Sequence, residues 1–326
     1  MRLYDLNMIR AIILKINSKL KQILDKIIPT IIVYKLLPYT SKFLILLNQS
    51  QINKAKVIFN NAKSTPVWLK TDIMVEMLQK YPPQFIAKFD TIRLKHLGRI
   101  KANELIKLIK HNNRKFNKVL ELGCNDGLVC YFLQKMKKEV FGIDIQSQGF
   151  DKRILKSGVN LIKMDASNLQ FKNESIDFIY SYNAFEHFLD PEKVLQESIR
   201  VLKKNGYLFF TFEPLYTSPW GLHLWQTFPI PYGQYFFPES TIKDYLKKSN
   251  DLNQLTIDSL NKWSIEDFRK LWRKYSDKLK IIKNYEYLNI NYLDLIMKYP
   301  SCFKSKTISF DDLIVKKVSI LLEKIK

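Results

Sequence analysis

Apolar residues recur at helical spacing near the start of the chain. Leu6, Ile9, Ile13, Leu14, Ile16, Leu20, Leu24, Ile27 and Ile28 alternate with Lys15, Lys19, Lys21 and Lys26. The pattern predicts a basic amphipathic helix over residues 6–28. A second apolar stretch, Ile31–Leu47, is cut by Lys35, Pro38 and Lys42. A bilayer span needs ~20 mostly apolar residues, so neither stretch predicts a transmembrane helix. The run after Arg10 ends at Lys15 with no small-residue cleavage site behind it, which argues against a signal peptide. Two readings stay open for this region: a helical cap packed on the rest of the chain, or an in-plane helix for a membrane surface or a partner.

A further helical pattern runs from Phe85 to Ile109, with Ile92, Leu94, Leu97, Ile100, Leu105 and Ile106 apolar. Then the period changes. Lys118–Leu122 reads as a short strand, Gly123-Cys124-Asn125-Asp126-Gly127 as a tight turn, and Leu128–Met136 as a helix. Strands follow at Glu139–Ile145, Leu161–Met164, Asp177–Tyr182 and Tyr207–Phe212, the last entered through a turn at Lys203-Lys204-Asn205-Gly206. A helix carrying Val194, Leu195, Ile199 and Leu202 lies between the fourth and fifth. Strands alternating with helices predict an α/β fold with a doubly wound, mostly parallel sheet. Towards the end, Ser264–Lys274 reads as a helix, Leu279–Tyr287 as a strand, Asp311-Asp312 as a short turn and Val315–Ile325 as a final strand, with a basic amphipathic helix as the alternative for 312–325.

Composition narrows the class. With 326 residues, 46% of them hydrophobic, the chain can bury a large core, and 26% charged residues exclude wholesale disorder. Three cysteines (Cys124, Cys130, Cys302) are too few for a disulfide scaffold and suggest a reducing, cytoplasmic setting. The formal charge of +22 would draw the chain to polyanions, but Lys outnumbers Arg 44 to 9 among the 53 basic residues. Phosphate-recognition surfaces favour the planar fork of Arg, so most of this charge is assigned to a solvated, lysine-rich surface. It is unevenly placed, however: residues 1–70 hold twelve basic and two acidic side chains.

The turn at 123–127 is where chemistry enters. Glycine lets a ligand approach the backbone, and the following helix offers free N–H groups. Alone this is a weak signal, shared by nucleotide binders and structural turns. Asp144, seventeen residues beyond Gly127 at the end of the second strand, strengthens it, because α/β nucleotide folds place a ribose-binding carboxylate there.

Over about residues 117–213 the sequence resembles the class I S-adenosylmethionine-dependent methyltransferases, particularly the small-molecule group called type 11. The resemblance rests on VLELGCNDG (119–127), FGID (141–144), MDASNLQF (164–171), SIDFIYS (175–181), NAFEHFLDP (183–191) and LKKNGYL (202–208). It implies a Rossmann-like fold and S-adenosyl-L-methionine as cofactor. Carried over residue by residue, Glu121, Gly123, Cys124, Asn125 and Gly127 would form the turn holding the methionine part. Asp144 would take the ribose hydroxyls, Ile145 the adenine face, Asp165 and Ala166 the adenine edge, and Asn183 the sulfonium end. Asn125 replaces the family's middle glycine. Asn tolerates left-handed backbone angles best among non-glycine residues, so the turn can survive.

Methyl transfer to a hydroxyl or amine benefits from a general base. Of the four histidines, His96 and His111 lie upstream of the first strand and read as surface residues. His187 follows the fourth strand, with a structural role as the alternative. His223 lies in Leu215–Pro238, which also holds Tyr216, Trp220, Trp225, Phe228, Tyr232, Tyr235, Phe236 and Phe237. These aromatics serve either core packing or an acceptor with a large apolar surface. No metal-ligand spacing is present.

The expected organisation is a basic helical N-terminal extension (1–70) and a methyltransferase domain (71–326). The latter divides into a core at 117–213, an aromatic lid inserted after the fifth strand at 214–262, and C-terminal strands within 276–326. The expected activity is methyl transfer to oxygen or nitrogen of a small-molecule, glycan or lipid-linked acceptor, with peripheral association to anionic membrane through residues 1–50. A nucleic-acid methyltransferase is disfavoured, because the segment after the fourth strand lacks an Asn/Asp-Pro-Pro-aromatic run and no RNA module is visible. A catalytically silent binding protein that keeps the fold is the alternative from another class.

Overall fold

The computed structural model describes residues 45–83, 91–110, 116–248 and 257–326. The amphipathic pattern at 6–28, most of the Ile31–Leu47 stretch and His111 lie outside the described residues.

A seven-stranded sheet organises the chain, in the order β3-β2-β1-β4-β5-β7-β6. Its strands are β1 (Lys118–Leu122), β2 (Glu139–Asp144), β3 (Asn160–Lys163), β4 (Ile176–Tyr182), β5 (Leu202–Phe212), β6 (Leu279–Leu288) and β7 (Val315–Lys324). β1 to β5 run parallel; β7 pairs antiparallel with β5 and with β6. The strands alternate with helices as the sequence predicts, and residues 315–324 form a strand. The turn expected at Lys203–Gly206 is instead absorbed into β5. Ile176 opposes Leu202 and Phe178 opposes Tyr207, so the intervening residues bulge out, with Asn205 at φ 63°. The expected turn at Asp311-Asp312 falls within a five-residue helix, Phe310–Ile314.

Both sheet faces are covered, which is why the central strands are apolar nearly throughout. On one face, α3 (Thr91–Lys110) and α4 (Leu128–Lys135) bury Ala102, Leu105, Leu128 and Leu133 against Val119, Val140 and Tyr180. On the other, α5 (Pro191–Val201) and α6 (Ile265–Lys274) contribute Val194, Leu195, Phe268 and Trp272. Local chemistry sets the helix starts. Asp190 accepts the Lys193 N–H ahead of Pro191, and Ser264 and Asp267 form a reciprocal capping box.

A third core lies beyond the sheet. There α1 (Gln49–Asn60) and α2 (Thr71–Lys80) pack Ile52, Ala55, Phe59, Met74 and Met77 against Phe228, Phe236, Phe303 and Phe310. Most aromatics of the segment after β5 belong to this core: Phe228, Tyr232, Tyr235, Phe236 and Phe237 are all buried. Tyr216, Trp220, His223 and Trp225 are only partly covered.

Candidate functional site

The sheet reverses its order of winding between β1 and β4. In an open α/β sheet, the crevice at the carboxyl ends of the strands at that point is where ligands bind. Every residue singled out after β1, β2, β3 and β4 comes to this edge.

The turn after β1 has left-handed backbone at Gly123 (φ 73°), Asn125 (φ 45°) and Gly127 (φ 77°). Asn125 therefore adopts the conformation of the glycine it replaces. The Gly123 and Cys124 N–H groups both donate to the Ile143 carbonyl at 2.9 Å, seating the turn on the end of β2. Asp144 completes the seat: its Oδ2 accepts the Asn125 N–H at 3.0 Å and its Oδ1 the Gln146 N–H at 3.1 Å. A Cβ added at Gly123 would lie 2.3 Å from Ala184 Cβ, so the segment after β4 packs directly on the turn. Asp126 caps α4 by accepting the Leu128 N–H at 2.9 Å. Cys124 is buried, and burial raises its thiol well above the usual range.

Glu121 points elsewhere. Its carboxyl lies buried beneath the turn, where Oε2 accepts from Tyr180 Oη at 2.8 Å and Cys130 Sγ at 3.0 Å. Burial pushes its pKa up to about 7, against the pull of those two hydrogen bonds. Its position suits support of the turn from below.

At the neighbouring strand ends, the Met164 N–H donates to the Asp144 carbonyl at 2.9 Å, which sets Asp165 alongside Asp144. Asp165 accepts the Ser167 N–H on Oδ1 at 2.8 Å, and Ala166 is buried in the core. Ile145, next to Asp144 in the chain, is 64% exposed despite its apolar side chain. Asn183, exposed and left-handed at φ 51°, donates its N–H to the Thr211 carbonyl at 2.8 Å. The anchor for this segment is Phe185, fully buried and stacked on Phe210 with centroids 4.6 Å apart. Such burial stabilises by about 1.5–3 kcal/mol.

The two histidines, 36 positions apart in sequence, meet. The rings of His187 and His223 lie 5.0 Å apart and perpendicular. His187 Nδ1 lies 3.2 Å from the Ser259 carbonyl oxygen and His223 Nε2 lies 3.2 Å from the Pro214 carbonyl oxygen. A carbonyl only accepts, so in each neutral ring that nitrogen carries the proton. For His187 the free lone pair is on Nε2. Burial lowers the His187 pKa, partly offset by the bond to Ser259, which favours the neutral, proton-accepting ring. His223 also stacks on Trp225, with centroids 5.2 Å apart. His96 is exposed.

One residue at this edge escaped sequence reasoning. Lys101 of α3 holds its ammonium 4.7 Å from the centroid of the Tyr182 ring, at the end of β4. No motif marks it, because its place depends on how α3 crosses α4. Among the described residues, no group of three or more side chains is arranged to hold a metal ion.

This sheet order with its flanking helices is a Rossmann-like fold of the methyltransferase type. Residues 120–210 match the family described as a methyltransferase domain, and this stretch of the chain is a methyltransferase domain. Among curated relatives, a ubiquinone biosynthesis O-methyltransferase of Pelagibacter ubique is 28% identical over 206 residues, covering 56% of this chain and 80% of the relative. A demethylmenaquinone methyltransferase of Thermotoga maritima is 37% identical over 95 residues, 28% of this chain and 41% of the relative. A phthiotriol/phenolphthiotriol dimycocerosates methyltransferase of Mycobacterium ulcerans is 29% identical over 99 residues, 29% of this chain and 36% of the relative.

The residues present fit the cofactor. The carboxylates of Asp144 and Asp165 and the exposed apolar side chain of Ile145 come from neighbouring strand ends, a set that would suit the cofactor's ribose hydroxyls, adenine amine and adenine face. The backbone turn at Gly123–Gly127 adjoins them. When bound, S-adenosylmethionine supplies an electrophilic methyl carbon on a sulfonium.

Proposed function

We propose that this protein methylates an oxygen or nitrogen of a small apolar or lipid-linked acceptor, using His187 and His223 at the reacting end of the site. The contact between the two rings carries the reading, since they reach the same place from different segments. In-line transfer asks the protein to align the nucleophile, exclude water and accept a proton. His187 Nε2 is the proton acceptor in this scheme. His223, oriented by the Pro214 carbonyl and by Trp225, fixes the neighbouring wall. Tyr216, Trp220 and Trp225 supply partly covered aromatic surface for the acceptor. The cofactor would lie over Asp144, Ile145, Asp165 and Ala166, with the 123–127 turn beneath its methionine part and Asn183 at the sulfonium.

The acceptor class draws support from the relatives, which are methyltransferases of quinone biosynthesis and of dimycocerosates. The test is transfer of a labelled methyl group from S-adenosylmethionine into a cell extract divided into organic and aqueous phases. Label in the organic phase is the expected result. No transfer into either phase would favour a silent binding protein, and label in nucleic acid would favour the polynucleotide alternative.

Peripheral attachment to anionic membrane through residues 1–50 accords with such an acceptor. Among the described residues, no helix is long and apolar enough to cross a membrane. Leu46 and Leu47 are exposed, and Lys54, Lys56 and Lys63 follow with no acidic residue between 45 and 71. Sedimentation of the full chain with phosphatidylglycerol vesicles, lost on removal of residues 1–50, is expected; sedimentation unaltered by the deletion would end this reading.

A further inference from the structure

His187 is held by a loop that arrives from far along the chain. Residues 257–263 lead into α6 and lie against the segment after β4, which they touch at three successive positions. Asn261 Nδ2 donates to the Phe185 carbonyl at 2.8 Å, and the Asn261 N–H donates to the Glu186 carbonyl at 3.1 Å. The Ser259 carbonyl then faces His187 Nδ1 at 3.2 Å, with Ser259 Oγ 3.4 Å from the same nitrogen.

The side chain of Asn261 is used at both ends. Its Oδ1 accepts the Trp263 N–H at 3.0 Å while its Nδ2 reaches Phe185. A carbonyl only accepts and an N–H only donates. This position therefore needs a donor and an acceptor on one short side chain, which an amide supplies and a carboxylate does not. The loop is pinned at its flanks. Asp258 accepts from Lys243 at 2.7 Å, and Lys262 donates to Glu239 at 2.6 Å, both partners lying on the helix Glu239–Lys248. Trp263 packs on Phe268 of α6, with centroids 5.2 Å apart, and Leu260 is buried. The clamped segment is fixed in turn by Phe185, stacked on Phe210. Both sides of the contact are anchored, and Asn261 joins them.

We infer that Asn261 is a positioning residue for His187: it clamps the backbone at Phe185 and Glu186 so that the Ser259 carbonyl meets Nδ1 and keeps the proton there, leaving Nε2 as the acceptor. This rests on the proton-acceptor role proposed above for His187.

The tautomer is readable without a substrate. Nitrogen shifts of isotope-labelled histidine at pH 8, assigned with His187→Gln, report which ring nitrogen holds the proton. Wild type should show His187 as the Nδ1–H form. Asn261→Ala should move it towards the mixture shown by exposed His96. So should the isosteric Asn261→Asp, which keeps the acceptor for Trp263 and stands in if Asn261→Ala does not fold. Both variants should lower the initial rate of label transfer into the cell extract by roughly 10- to 100-fold, with S-adenosylhomocysteine affinity within about twofold of wild type. Ser264→Ala, which breaks the neighbouring capping box, controls for lost stability and should leave the tautomer unaltered. An unchanged tautomer in the Asn261 variants, or one equally disturbed in Ser264→Ala, would overturn the positioning role and spare His187 as acceptor. A shifted tautomer with an unchanged transfer rate would overturn the acceptor role of His187, and the inference with it. A wild-type ring protonated on Nε2 would overturn both.

Discussion

His187 and His223 face each other edge to plane, 5.0 Å between ring centroids, each oriented by a backbone carbonyl. Protonating one ring puts a cation beside the other, and burial of His187 adds to the cost. His187 is therefore set to work neutral.

That arrangement predicts the pH profile. The acid limb of methyl transfer should fall below the ordinary histidine range near 6.5, with the rate flat above it. His187→Ala should lower kcat/KM by about 100-fold and remove that limb, while S-adenosylhomocysteine affinity stays within about twofold. Initial rates between pH 5 and 9 check this, and a His187→Ala profile that keeps the limb would discard His187 as base.

Asp144 links turn and groove, so its loss should register in both. Asp144→Ala is expected to weaken S-adenosylhomocysteine binding by about 1.5–3 kcal/mol, through lost charge-assisted hydrogen bonds. Because the Asn125 N–H loses its acceptor as well, the melting temperature should drop modestly. Calorimetric titration together with thermal unfolding tests the two effects; unchanged affinity would remove Asp144 from the site.

The turn's backbone sets a sharper requirement. At Gly127 an added Cβ would meet Leu161 Cδ1 at 2.6 Å, at a φ of 77° that side chains rarely adopt. Gly127→Ala should therefore cost about 2 kcal/mol or more, from strain and displacement of Leu161. Asn125→Gly should be neutral or slightly stabilising, since its backbone is already left-handed. Urea unfolding of both variants measures this, and an unaffected Gly127→Ala would mean that the turn is looser than the contacts imply.

Glu121 gives a stability signature with a definite sign. Its folded pKa near 7 exceeds the ordinary 4.5, so between these values the folded chain binds more protons than the unfolded one. Stability contributed at this site consequently falls as pH rises from 4.5 to 7 and is constant above, by about 3 kcal/mol. Glu121→Gln keeps an acceptor for Tyr180 and Cys130 without the charge. Relative to wild type, it should gain stability on going from pH 5 to pH 8, as read by denaturant unfolding at both. A stability difference independent of pH would show that the buried carboxyl titrates normally.

Much of this protein was legible from its residues alone. The strands at 118–122 and 176–182 are short apolar runs bounded by turn formers, and Asp190-Pro191 and Ser264 mark helix starts through local hydrogen bonds. The placement of Gly123, Asp144 and Asp165 at one edge follows from strand order, because parallel strands joined by helices bring all their carboxyl ends together. Tertiary packing alone decided the rest. That Glu121 turns under the sheet, that Lys101 reaches Tyr182 and that His187 touches His223 depend on how α3, the segment after β5 and the loop at Ser259 lie across the strand ends. The pairing of α1 with Phe303 and Phe310 spans most of the chain in the same way. Such contacts leave no periodicity, because the partners share a place in the fold and not a spacing in sequence.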